Sequence, residues 1–187
     1  HREELIEIHR SYLRAGADFL KTNTFGANRF KLKGSGHTVE EVVSAGVKNA
    51  LQAVEDWGKG TVFLDIGPTG KLLRPLGELD FEDAVSTFAE MVRAGAAAGA
   101  EAVLIETMSD IYEAKAALLA AKENSDLPVF VTMTFDEDGK LLTGGELAVA
   151  AAVLEGLGAD AIGFNCVLGP QQMAGLLPKL RELPGLP

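Results

Sequence analysis

A single cysteine, Cys166, stands in the stretch GADAIGFNCVLGP, from Gly158 to Pro170. An apolar run gives way there to a loop of Gly and Pro, which puts the thiol at the mouth of a sheet, where ligands bind. A thiol so placed is a packing group, a nucleophile or a metal ligand. A nucleophile needs a base beside it. The three histidines are His1 and His9, in a helix-like segment, and His37, in a Gly-rich loop, so a Cys–His pair has no support. A zinc ligand needs two or three partners, and these residues hold no second cysteine.

Glu106 closes the apolar run AVLIE. A carboxylate after four apolar residues on a covered strand is costly to bury without a partner. It reads either as a loop acid or structural ion pair, or as the acceptor for a substrate ammonium, and its place at a strand end favours the second. Asn23 and Thr24, in TNTFGA, are turn formers or rim groups. Asp65, in LDIGPTGKL, reads as a turn former too. That loop carries Gly67, Gly70 and Lys71 but lacks the G-x-x-x-x-G-K-[ST] spacing of a phosphate cradle. Lys21, inside a strand, is an ion-pairing lysine more readily than a Schiff-base one. Trp57 and Met91 fit helical stripes and are expected in the core.

The elements that must position these groups alternate. A first helix has Leu5, Ile8, Tyr12 and Ala15 on one face, stopped by Gly16. Strands are predicted at Asp18–Phe25, Thr61–Gly67, Ala102–Thr107, Pro128–Phe135 and Ala161–Cys166. Helices fall between them, one opened by a Thr38/Glu41 capping box, one by Asp80 and Asp83, one capped by Ser109, and one over Gly145–Leu157; another starts at Pro170. A junction recurs, as AGAD at Ala15–Asp18, AGAE at Ala98–Glu101 and LGAD at Leu157–Asp160. In each, a left-handed glycine stops a helix and an acid opens the next strand.

Apolar strands separated by helices imply a parallel sheet under helices, either doubly wound or a (β/α)₈ barrel. No G-x-G-x-x-G follows a strand, and polar residues crowd the strand ends, so the TIM barrel is the expected α/β fold. Only about five of its eight parallel strands are visible.

A formal charge of -10 repels phosphate backbones and anionic lipid, which argues against nucleic-acid and membrane partners. No apolar run reaches the roughly 18 residues of a spanning helix. A single cysteine makes no internal disulfide, and a cytoplasmic location is expected.

Taken together, GADFLKTNTFGANRFKL, DIGPTGKLLRPLGEL, LIETMSDIYEAKAAL, PVFVTMTFDEDGKLLTG and GADAIGFNCVLGPQQM resemble the homocysteine S-methyltransferase family. The likeness is greatest to the homocysteine-binding module of its cobalamin-dependent methionine synthase branch. It implies a (β/α)₈ barrel of which residues 1–187 carry strands two to six, a homocysteine-binding domain truncated at both ends. It also implies zinc-dependent methyl transfer to homocysteine, giving methionine, with Cys166 as the first of three cysteine zinc ligands. The other two would lie in a GGCC motif outside these residues. Glu106 matches the family glutamate that binds the substrate amino group, Asn165 lies beside the metal ligand, and Asn23 and Thr24 are further rim candidates. Cobalamin and methyltetrahydrofolate are implied only through other modules of a parent protein. A standalone enzyme using S-methylmethionine or betaine, a non-catalytic fragment, and a carboxylate-only barrel enzyme are the rivals. Open barrel edges imply self-association.

Overall fold

The computed structural model describes residues 1–182 and Gly185. In chain order the elements are α1 (Arg2–Arg14), β1 (Phe19–Lys21), α2 (Val39–Trp57), β2 (Thr61–Ile66), α3 (Phe81–Ala97), β3 (Ala102–Met108), α4 (Ile111–Asn124), β4 (Val129–Met133), α5 (Leu147–Gly156), β5 (Ala161–Phe164) and α6 (Pro170–Arg181). The five strands form one parallel sheet whose spatial order, β1-β2-β3-β4-β5, is the chain order.

Period-two alternation sorts the two faces. Val62, Leu64, Ile66, Val103, Ile105, Val129, Val131 and Met133 are fully buried in the core shared with the helices. The alternate positions Leu104 and Phe130 are half-buried on the inner side, where the Phe63 ring meets those of Phe19 and Phe130 edge-on, each at 5.1 Å between centroids. Each helix packs on the next in sequence. A doubly wound sheet reverses its strand order and covers both faces with helices. Strands in chain order with one helix-covered face are the wall of a barrel.

The recurrent junction has a physical basis. Gly16, Gly99 and Gly158 adopt φ of +98°, +98° and +86°, a region that costs a side chain strain. The acid that follows reaches the neighbouring strand. Glu101 accepts the Val62 N–H at 2.8 Å, and Asp160 accepts the Val129 N–H and Lys122, both at 2.7 Å. Each acid thus satisfies an amide at a strand start that the parallel ladder leaves over. Asp18 pairs with Lys59 instead, at 3.8 Å.

Several details differ from the expectations. In α1 the buried face is Ile6, His9 and Leu13, while Ile8 and Tyr12 are exposed. Apolar residues occupy both faces at helical spacing, and packing of Ile6 and Leu13 on Leu20 and Ala53 decides between them. Trp57 is 42% exposed at the last turn of α2, whereas Met91 is fully buried. The cap of α4 is Asp110, whose Oδ1 accepts the Tyr112 N–H at 2.9 Å, not Ser109. The strand expected at Asp18–Phe25 is regular only over Phe19–Lys21; Thr22 still donates its N–H to the Phe63 carbonyl at 2.9 Å, and the chain then leaves the ladder. The Thr38/Glu41 capping box is present, with both reciprocal hydrogen bonds.

Candidate active site at the strand ends

Among the described residues, three non-glycine residues have positive φ: Thr107 at 64°, Cys166 at 58° and Val167 at 54°. Two are β-branched, for which this conformation costs roughly 1–3 kcal/mol each. They lie at the ends of β3 and β5, facing each other. Asn165 joins them. Its Oδ1 accepts the Thr107 N–H at 3.1 Å, and its Nδ2 donates to Thr107 Oγ1 at 2.9 Å. The Cys166 Sγ is exposed, 3.8 Å from Thr107 Oγ1 and 3.6 Å from Asn165 Nδ2. The amide also reaches Glu106 Oε2 at 3.4 Å. Glu106, Asn165 and Cys166, singled out separately in the sequence, form one contiguous group.

The other Glu106 oxygen, Oε1, accepts Lys21 Nζ at 2.6 Å; the Glu106 side chain is 13% exposed and that of Lys21 50%. Lys21 is therefore ion-paired. Burial pulls its pKa down, but Glu106, Asp65 and Cys166 outweigh that and raise it. Asp65, on β2, is 4% exposed, and its Oδ1 has no hydrogen-bond partner. Burial first, then the neighbouring Glu106, push its carboxyl up to about 7, against the pull of Lys21. Its role as a mere turn former is corrected: the carboxyl is inside the site.

Thr22 and Thr24 pin the backbone of Asp65. Thr22 Oγ1 accepts the Asp65 N–H at 2.9 Å, Thr24 Oγ1 donates to the Asp65 carbonyl at 2.7 Å, and the two hydroxyls lie 2.6 Å apart. Thr24 is buried beside Gly46 of α2, where a Cβ would come within 2.6 Å of its methyl. Its hydroxyl is thus committed to the scaffold beneath the rim. Asn23 is exposed and lines a cleft of about 420 Å³ with His9, Tyr12, Phe19, Lys21 and Asp65. Burial lowers the His9 pKa, so the imidazole there is biased to its neutral form. In the first turn of α4, buried Glu113 accepts the N–H of Thr69, on the loop after β2, at 2.8 Å and its hydroxyl at 2.5 Å.

Sequence reasoning undervalued Asp65, Lys21 and Thr107. The signal for Asp65 was an acid embedded in TVFLDI, a run otherwise fit for full burial. Lys21 is paired with an acid, Glu106, which stands two strands away in the sheet. Nothing in the sequence marked the strained φ of Thr107.

As a metal site the described residues present one soft sulfur, that of Cys166, and no group of three or more His, Cys, Asp or Glu side chains able to hold an ion. Cys166 fits a zinc site as one ligand of several.

Residues 1–185 match the family model for homocysteine S-methyltransferase. The chain belongs to that family. Along its whole length it is 33% identical to the methionine synthase of Mycobacterium leprae (strain TN) and 32% identical to that of Mycobacterium tuberculosis (strain ATCC 25618 / H37Rv). It spans 16% of the length of each. Its fold is that of the homocysteine methyltransferase MmuM from Escherichia coli. The metallated form superposes with a TM-score of 0.87 at 23% identity, over 97% of this chain and 69% of that one. The oxidized form gives 0.90 at 23% identity, over 100% and 70%. Family and fold together establish this homocysteine S-methyltransferase domain as part of a TIM barrel. No helix among the described residues is long and apolar enough to cross a membrane.

Proposed function

We propose that residues 1–187 are the homocysteine-binding module of a methionine synthase, which presents the homocysteine thiol for methylation to methionine. The observation that carries this reading is the convergence of Glu106, Asn165 and Cys166 at the ends of β3 and β5. An amino acid thiol has two handles, a cationic ammonium and a soft sulfur. Glu106 offers a half-dry carboxylate for the first, and Cys166, exposed on a strained turn, sits beside it for the second.

Homocysteine's ammonium docks on Glu106 through a charge-assisted contact. Asn165 fixes Glu106 and the Cys166 turn relative to each other through Thr107, so that the two ends of the substrate are held at a set separation. Asn23 lies on the adjoining cleft and shapes its rim. Thr24 acts from below, by fixing the strand that carries Asp65. Cys166 would hold zinc together with thiolates from outside these residues. Bound zinc supplies stabilisation of the substrate thiolate, whose free thiol has a pKa of about 8.5 and is mostly protonated at neutral pH.

The methyl donor in this reading is cobalamin, recharged from methyltetrahydrofolate, each carried by other modules of a longer protein. The support is the kinship with methionine synthases of which the chain spans 16%. The test is to supply the full-length protein with zinc, L-homocysteine and, separately, methylcobalamin, S-methylmethionine or betaine, and to measure methionine. Methionine formed with methylcobalamin supports the reading. Methionine formed only with one of the other two makes this a donor-specific standalone enzyme. None with any donor overturns the proposed activity.

A further inference from the structure

Lys21, Glu106 and Asp65 form a cluster of one lysine facing two carboxyls, and its two halves are unequally satisfied. Lys21 Nζ is 2.6 Å from Glu106 Oε1, while Asp65 Oδ1, in a side chain more than nine-tenths buried, has no partner. Lys21 and Asp65 line the same cleft. Lys21 is half-exposed on a long flexible stem, whereas the Asp65 backbone is pinned by Thr22 and Thr24. The lysine is therefore the part free to move. On the homocysteine reading above, its present place on Glu106 is also the seat a substrate ammonium needs.

We propose that Asp65 is the alternate seat of Lys21: when a substrate ammonium takes Glu106, Lys21 Nζ passes to Asp65, and Asp65 releases its proton to solvent. The balance closes. Before binding, the cluster holds a lysinium, a Glu106 carboxylate and a protonated Asp65. Afterwards it holds two ion pairs, Lys21 with Asp65 and the ligand ammonium with Glu106, and one proton has left. Without the second seat, the incoming ammonium would strand Lys21 beside a like charge and leave Asp65 Oδ1 buried without a partner. The raised pKa of Asp65, about 7, agrees with the resting state. The titratable and charged groups around Asp65 are Lys21 from β1, Glu106 from β3, and His9 and Tyr12 across the cleft on α1. His9 is biased to neutrality by burial, so the lysine is the one cation facing Asp65 among these groups. Asp65 and Lys21 are positioning residues here: both act through Glu106.

The test is calorimetric titration of L-methionine, whose thioether carries no proton, into the full-length protein at pH 7 in buffers of different ionisation enthalpy. Wild type is expected to release about half a proton per ligand, since a group titrating near pH 7 is half protonated there. Asp65→Asn and Lys21→Met are each expected to bind methionine and release almost none. Binding by wild type with no proton release overturns the relay and leaves the homocysteine reading standing, as does release by Lys21→Met equal to that of wild type. A folded wild type that binds neither methionine nor homocysteine overturns both.

Discussion

Asn165 grips Thr107 with both ends of its amide, accepting the backbone N–H at 3.1 Å and donating to the hydroxyl at 2.9 Å. The grip holds Thr107 at a φ of 64° and ties the end of β3 to the turn that carries Cys166. Strain at one strand end is thereby offset by hydrogen bonds from another, an arrangement that persists where geometry serves a site.

Thr107→Gly and Thr107→Ala separate the two contributions. Both lose the hydroxyl bond, but only glycine adopts this φ freely. The glycine variant is expected to be more stable than the alanine variant by about 1–2 kcal/mol in urea unfolding. Equal stabilities would remove the strain from the description.

Asp65 gives stability a pH dependence of definite sign. Its folded pKa, about 7, lies above its ordinary value of 3.8, so the folded state keeps a proton that the unfolded chain gives up between them. Its contribution is complete below about pH 4 and is lost as pH rises through 7. Asp65→Asn is expected to flatten the fall in denaturation midpoint between pH 5 and pH 8. A wild-type profile of the same slope would contradict this.

Much of the frame was readable because each local signal agreed with the sheet. The junctions AGAD, AGAE and LGAD state helix stop and strand start in four residues, and the run TVFLDI declares a strand covered by helices. The helical face of α1 was not readable, because Leu5, Ile8 and Tyr12 and the buried Ile6, His9 and Leu13 share the same spacing. In the site, Glu106, Asn165 and Cys166 stood out as polar groups ending apolar runs. Their contact through Thr107 was invisible, since it links residues 58 apart in the chain and depends on backbone angles. Thr24 looked like a rim group because Thr in a turn is ordinarily solvated; the parallel register of β1 and β2 instead turns its hydroxyl onto Asp65.

One thiolate is a weak zinc site, since protein zinc centres supply three or four ligands. The 187-residue chain alone is expected to lose zinc on dialysis against a chelator, and the full-length protein to retain one equivalent. Metal content by mass spectrometry decides it; stoichiometric zinc surviving the chelator in the chain alone would sink the assignment of Cys166 as one ligand among several.

In the described residues β1 and β5 are the sheet edges, and Phe19 on β1 is 59% exposed with Ile8 and Tyr12 nearby on α1. Open edges beside apolar surface favour pairing with another chain. The 187-residue chain by itself is expected to self-associate in sedimentation experiments. A monodisperse monomer at high concentration would show that these edges are protected.

The central claim, a site for an amino acid thiol between Glu106 and Cys166, is tested most directly by calorimetric titration of L-homocysteine into the zinc-loaded full-length protein and its Glu106→Gln variant. A charge-assisted contact in a partly dry site contributes roughly 1.5–3 kcal/mol, so the variant should bind about ten- to a hundredfold more weakly while retaining its zinc. Equal affinity in the two proteins would take Glu106 out of the site and contradict the assignment.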